Sequence, residues 1–347
     1  MGYSPNPLAA QRFARVDTTA VQLPEATLAS DEPIRVTVPA PPSLTEEELV
    51  RRFNQLAREH AQVREREPGE AVEQGDDVQL DIIGYANDKL IPFSIRTGLW
   101  MELAPDDALP GFAELLAGSA VGDCVGITLV LPDTYPVESL RGVTARFMVD
   151  LLAAREVLPP EPDSVGFLRQ LGRGNSLSEV MNALGQELLQ ERTDAQWLEA
   201  QNRVLDVLAS RLRVTLPKAL IDEEIRRRWV MAEGQTVQEK NFSPAEEQEA
   251  LEAWKTDPAT RAEVERRLRI SLALKAVAQR DELRLEPGEV FGFLEKYLDA
   301  YGLQASEVWE ALVNPETAAP LQNLAWHLHA VEHVMKQAEI HFEGGEA

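Results

Sequence analysis

Apolar positions change their period twice along the 347-residue chain. Over 45–64, Leu49, Phe53, Leu56 and His60 or Val63 recur three or four residues apart, which predicts one amphipathic helix capped by Ser43 or Thr45. A short alternation, IRVTV at 35–39, precedes it as a strand. From Gly75 to Glu156 the period falls to two. VQLDIIG (78–84), CVGITLVL (124–131) and VTARFMVDLL (143–152) read as strands, most cleanly where Val125, Ile127, Leu129 and Leu131, or Val143, Ala145, Phe147, Val149 and Leu151, alternate with polar neighbours. Helical signal in this stretch is confined to 110–117. Pro110 suits a first turn, Phe112, Leu115 and Leu116 share a face, and Gly118 can terminate it. The pattern predicts an antiparallel sheet crossed by one short helix.

After VLPPEPDS (157–164) the period returns to that of a helix. Leu177, Val180, Met181, Leu184, Leu188, Val204, Leu208 and Leu212 keep it over a stretch long enough for an arm, opened by Asn175 or Ser176. Further helices are predicted over 216–229, near 258–281, over 287–302 and over 316–338. The fold class is therefore α+β and mostly α: an elongated helical domain with arms, and a β domain inserted into it. The expected divisions are an extended lead-in (1–34), a linker strand and first helix (35–74), the β domain (75–156) and the helical domain (157–347).

Charge narrows the partners. Lys and Arg number 34 against 58 Asp and Glu, a formal charge of -24 that repels phosphate backbones and anionic lipid alike. Neither nucleic acid nor a membrane surface is expected as a partner. Over 75–150 acidic residues outnumber basic ones, which suits basic segments or simply solubility. Cys124 is the single cysteine, so no intramolecular disulfide can form, and its apolar neighbours suggest a small core residue. The first residues lack a signal-peptide core and no run approaches the roughly 18 apolar residues of a membrane span. A cytoplasmic protein is expected.

Four strings occur in a telling succession: GDDVQLDIIG, ALPGFAELLAGSAVGD, LPDTYPVESLRGVTARFMVDLLAAREVLPP and, in the helical part, VLDVLASRLRVTLPKALIDEEI. The first three resemble an FKBP-type peptidyl-prolyl isomerase domain, and such a domain set between helical segments resembles the trigger factor family of chaperones. The resemblance runs from about Leu23 to near Ala338. It implies that Leu109, Phe112, Tyr135 and Phe147 stand at the isomerase pocket, with Phe112 as floor, Phe147 as side wall and Tyr135 as a hydroxyl donor to a substrate carbonyl. Such a pocket needs no acid, base or nucleophile. A dry aromatic cup favours the twisted amide over a barrier of about 18–20 kcal/mol. No cofactor is implied.

Two departures follow. The first-strand aromatic is Ile82, the Phe-acid pair of the next segment is Ile91-Pro92, and another wall phenylalanine is Leu99, so half the lining is aliphatic and turnover is expected to be weak or lost. Phe112, Tyr135 and Phe147 equally suit the interior of a small β domain. The family's ribosome-docking signature, Gly-Phe-Arg-x-Gly-x-x-Pro, does not occur, so ribosome docking by that route is not expected.

In the helical part the resemblance implies a cradle for non-native chains. Candidate contacts are Trp197, Trp229, Trp254, Phe291, Phe293, Trp309 and Trp326, each of which also suits a core. His327, His329 and His333 form H-x-H-x3-H, but no Cys or patterned carboxylate completes a set of ligands, and no metal site is expected. Arg226, Arg227 and Arg228 read as a solvated face paired with Asp222, Glu223 and Glu224. The expected function is a trigger-factor-like chaperone for unfolded or nascent polypeptides. The alternatives are an active prolyl isomerase, or an assembly or secretion chaperone dedicated to one or a few partner proteins.

Overall fold

The computed structural model describes residues 23–105, 109–286 and 288–343. Its strands in chain order are β1 (Thr27–Leu28), β2 (Arg35–Val38), β3 (Gln62–Glu65), β4 (Asp77–Ala86), β5 (Lys89–Leu90), β6 (Arg96–Glu102), β7 (Cys124–Val130), β8 (Thr144–Leu158), β9 (Leu212–Arg213) and β10 (Glu339–Phe342). Its α-helices are α1 (Glu46–Glu59), α2 (Phe112–Leu116), α3 (Val165–Gln170), α4 (Leu177–Ser210), α5 (Lys218–Trp229), α6 (Gln235–Glu239), α7 (Pro244–Thr256), α8 (Pro258–Arg280), α9 (Val290–Leu294), α10 (Leu298–Tyr301), α11 (Ala305–Val313) and α12 (Pro315–Gln337). The α+β class holds. The chain divides into two compact units, each discontinuous in sequence: one takes the chain up to Pro41, Thr193–Ile221 and the chain from Glu263, the other Pro42–Arg192 and Asp222–Ala262. Most of the lead-in, residues 1–22, lies outside the described residues.

The β module sits in the second unit. Its central strand β8 pairs antiparallel with β3, β4 and β7, while β4 also pairs antiparallel with β5 and β6. Alternation sends Val78, Leu80, Ile82, Ile127, Leu129, Phe147, Val149 and Leu151 into one core, closed by Phe112, Ala113 and Leu116 of α2. Asn87 and Asp88, both at positive φ, make the two-residue turn from β4 to β5, a conformation that Asn and Asp tolerate. Gly111 at φ +87° precedes α2 and Gly118 at φ +88° follows it, so the short helix is bracketed by two left-handed glycines.

Three expectations change. The first helix stops at Glu59, because Gln62–Glu65 pairs with the far end of β8, Arg155–Leu158. His60 and Val63 are consequently exposed, and the sheet extends beyond 75–156 at both ends. Leu115, expected on the buried face of α2, is exposed. Cys124 is exposed too: it lies out of phase with Val125 and Ile127 and stands opposite Asp150.

Also in the second unit, α1 begins in a capping box, with the Thr45 hydroxyl accepting from Glu48 N–H and the Glu48 carboxylate accepting from Thr45 N–H. Its Phe53, Leu56 and Ala57 pack with Phe167, Leu168, Leu171, Val180 and Leu184. The first unit holds a core of Ile34, Val36, Val204, Leu208, Ile270, Leu274, Val277, Val331 and Val334, on which β2 pairs parallel with β10. A second core joins Val290, Phe293, Leu294, Val308, Leu321 and Ala325. The helix expected over 287–302 is broken there into α9, a 3-10 turn at Glu295–Tyr297, and α10.

Candidate functional site

The implied pocket residues converge in part. Phe112 from α2 and Phe147 from β8 meet edge to face, ring centroids 6.0 Å apart and planes at 87°. Ile82 and Ile91 share their core, and Leu109 and Tyr135 pack against its margin. Pro92 is buried. Leu99 is not part of the group: it stands opposite the core residue Leu80 but is exposed, and the next residue, the exposed Trp100, carries the Arg155 guanidinium 4.6 Å above its ring. Phe112 and Phe147 are each only 3% exposed, so in this conformation their faces are spent on one another and on the sheet. The Tyr135 hydroxyl is pushed up from its ordinary pKa by burial, opposed by the Arg96 guanidinium.

Close approach explains this packing. At Gly84 an added Cβ would lie 2.8 Å from Phe147 Cε1 and 3.0 Å from Ser94 Cβ, so the strand runs directly beneath the ring because it has no side chain there. Ser94 ties the following turn to the same point: its hydroxyl donates to Ile91 O at 2.7 Å and accepts from Gly84 N–H at 3.1 Å. Ser94 N–H closes on Ile91 O at 3.2 Å. This is the pattern of a type II turn with Pro92 second and Phe93 third. Phe93 therefore sits at φ +65°, a position glycine prefers and a bulky residue occupies at a cost of roughly 1–2 kcal/mol.

The Phe93 ring is met by Trp254 of α7, centroids 3.9 Å apart. Trp254 Nε1 donates at 3.0 Å to Glu233, which is 1% exposed. Glu233 lies in a π turn, Val230–Gly234, between α5 and α6. Its other oxygen is 4.0 Å from Arg96 of β6 and has no hydrogen-bond partner among the described residues. Thr97 and Thr236 hydroxyls are 2.9 Å apart, and Lys240 reaches Asp81 and lies 3.9 Å from Asp150. Burial pushes the Glu233 carboxyl up to about 7, against Arg96 and the hydrogen bonds that pull it down. Phe93, Arg96 and Glu233 belong to no motif in the sequence. A lone Glu in an apolar helical run, VMAEG, was the available signal, and it is indistinguishable there from a solvated position.

The remaining candidates separate by exposure. Trp229 and Trp254 are buried, as is Phe293, which corrects their expected place on a client-facing surface. Phe291 and Trp326 are half-buried. Trp309 and Trp197 are 56% and 53% exposed; the first meets Phe291 edge-on at 5.2 Å and the second meets Phe342 at 4.9 Å. The histidines do not converge: His329 lies edge-on to Phe293, His333 Nε2 is 2.7 Å from Asp281, and burial lowers the pKa of His327. Among the described residues no group of three or more His, Cys, Asp or Glu could hold a metal ion. Arg226, Arg227 and Arg228 pair with Glu223 and Glu224 along α5, while Asp222 pairs with Arg261.

Residues 176–336 match the family described as bacterial trigger factor protein (TF) C-terminus. Over most of its length the chain is similar to trigger factors. It is 27% identical to the trigger factor of Macrococcus caseolyticus (strain JCSC5402) over 79% of this chain and 64% of that one. The trigger factor of Methylobacterium sp. (strain 4-46) is 25% identical over 92% of this chain and 64% of its own. That of Actinobacillus pleuropneumoniae serotype 5b (strain L20) is 24% identical over 95% and 73%. The chain thus spans just under two thirds of the length of the first two trigger factors. A solved trigger factor chaperone structure aligns over 91% of this chain and 73% of that one at 16% identity and a TM-score of 0.32, a likeness too weak to speak for the fold. The trigger factor C-terminal match covers α4 through most of α12 and leaves the β module outside it. No helix among the described residues is long and apolar enough to cross a membrane.

Proposed function

We propose that this chain is a chaperone of the trigger factor type, holding non-native polypeptides on apolar surface presented by its helices, in the cytoplasm. The observation that carries the reading is the aromatic surface inside the matched region. Trp309 is left more than half exposed on α11, braced edge-on by Phe291, with Val313 exposed one turn further on. A braced ring offers large contact area at small entropic cost and demands no particular sequence of its partner. Light scattering of an aggregating client tests it. Suppression at stoichiometric amounts, weakened by Trp309→Ala with Val313→Ser, is expected; unchanged aggregation at several-fold molar excess removes the reading.

The β module we read as FKBP-like with prolyl turnover weak or absent. Ile82 and Ile91 replace flat faces by aliphatic ones, and the two phenylalanines that remain have little free surface for a proline ring. Cis–trans interconversion of a proline tetrapeptide should run at the same rate with the wild-type protein and with Phe112→Ala. A wild-type rate well above the uncatalysed one, lost in Phe112→Ala, replaces this reading by that of an active isomerase.

A further inference from the structure

We infer that the helical segment carrying Glu233 and Trp254 is a latch on the β module, closed when Glu233 holds a proton and loosened when it ionises. Beside the packing of α7 on β5, the contacts are of distinct kinds: the Trp254 ring on Phe93, the Thr236 hydroxyl on Thr97, Lys240 on Asp81, and the Glu233 carboxyl beneath Trp254 and beside Arg96. Only the last changes its character near neutral pH.

Closed, the carboxyl has given up its water for one indole N–H at 3.0 Å and a guanidinium 4.0 Å away. An ionised carboxylate so placed is under-solvated, whereas a neutral carboxylic acid loses far less on burial. The groups facing it are the Arg96 guanidinium and the Ile95 backbone from the β module, and the Trp254 and Trp229 indoles from the helices; Arg96 is the one charge among them. Beyond Arg96 lies Tyr135, whose hydroxyl burial keeps neutral. Lys240 bridges the same elements to Asp81 and Asp150, and Glu246 and Glu249 of α7 face Tyr85 of β4. Glu233 is turned inward by a π turn, a rare local geometry that interrupts the helix between α5 and α6.

The sign follows from linkage. Closed, the carboxyl titrates at about 7; open to water, it returns to its ordinary 4.5. The closed form therefore binds the proton more tightly, so closure is strongest below the open value and weakens as pH rises through the closed one. Between pH 5.5 and 8 the closed-to-open ratio falls about thirtyfold. Opening frees the Trp254 and Phe93 rings, and releases Arg96 to Tyr135 at the margin of the Phe112–Phe147 core.

Hydrogen–deuterium exchange on the full chain tests this, with intrinsic amide rates divided out and peptides covering 91–98 and 230–256 followed from pH 5.5 to 8. Wild-type protection in both peptides should fall about thirtyfold, while Glu233→Gln should stay protected throughout. A flat wild-type profile, or the same fall in Glu233→Gln, overturns the latch. A second variant, Thr97→Cys with Thr236→Cys in a Cys124→Ser background, replaces the 2.9 Å hydroxyl contact with a tether. Oxidised, it should keep its protection at pH 8 and lose it on reduction. Loss in the oxidised form would mean local unfolding rather than release, and overturns the proposal even should Glu233→Gln fail to fold. No client enters these measurements, so their outcome is independent of the chaperone reading.

Discussion

Phe112 with Phe147 in the β module, and Phe291 with Trp309 in the helical unit, are nearly the same object geometrically. Both are edge-to-face pairs, at 6.0 Å and 87° and at 5.2 Å and 89°. Their surroundings differ completely: the first pair is sealed under a sheet with Gly84 pressed against it, while the second leaves Trp309 more than half in water. Ring geometry therefore does not assign a role. The sealed pair has already used its surface to hold α2 to the sheet, and the open pair still has surface to offer.

The comparison breaks first at Phe147. Phe147→Ala should cost about 3–5 kcal/mol, read by denaturant unfolding followed with near-ultraviolet circular dichroism. A loss below about 1 kcal/mol would mean the ring lines an open cup after all. Gly84→Ala should cost about 1–3 kcal/mol, because its methyl meets Phe147 and Ser94 and one of them must move. An unchanged midpoint would show the ring free to swing aside.

Glu233→Gln sharpens the contrast from another side. Burial raises this carboxyl, so the stability it contributes is full below its ordinary 4.5 and is lost as pH rises through about 7. The substitution should therefore stabilise the second unit by about 2–3 kcal/mol at pH 8 and by little at pH 4.5, measured by thermal unfolding at both. Equal midpoints at pH 8 would show the carboxyl to be hydrated. The smallest effect is expected at Trp309→Ala, within about 1 kcal/mol of the wild type, yet with reduced capacity to hold a client. A large loss of stability there would make Trp309 a core residue like Phe147 and remove the distinction between the two pairs.

Much of the architecture is legible in periodicity. Val125 to Leu131 and Val143 to Leu151 alternate because one face of each strand is buried, and the 34-residue α4 keeps its period because successive turns meet different cores. What stayed hidden depends on partners far away in the chain. Residues 62–65 become a strand only because β8 extends far enough to pair with them, and Arg96–Glu102 has Gly98 interrupting its alternation. Leu99 stands opposite the core residue Leu80, yet on the edge strand β6 it is left exposed. In the helical half, Ala305–Val313 carries little periodic signal although Val308 and Leu312 stand one turn apart, since a nine-residue run offers too few repeats.

Local order and the inventory of rings were thus set by the amino-acid sequence itself: alternation, helical spacing, the Thr45 and Ser243 caps, and a stretch that matches the trigger factor C-terminus. Whether a given ring or carboxyl meets water was decided only in three dimensions. Trp229 and Trp309 both stand beside a charged residue in a helical run, Arg228 before the one and Glu310 after the other, yet one is 3% and the other 56% exposed. Glu233 differs from its many acidic neighbours solely in having Trp254 and β6 closed over it. Burial is a property of what packs from elsewhere, and the spacing of residues along one segment carries no record of that.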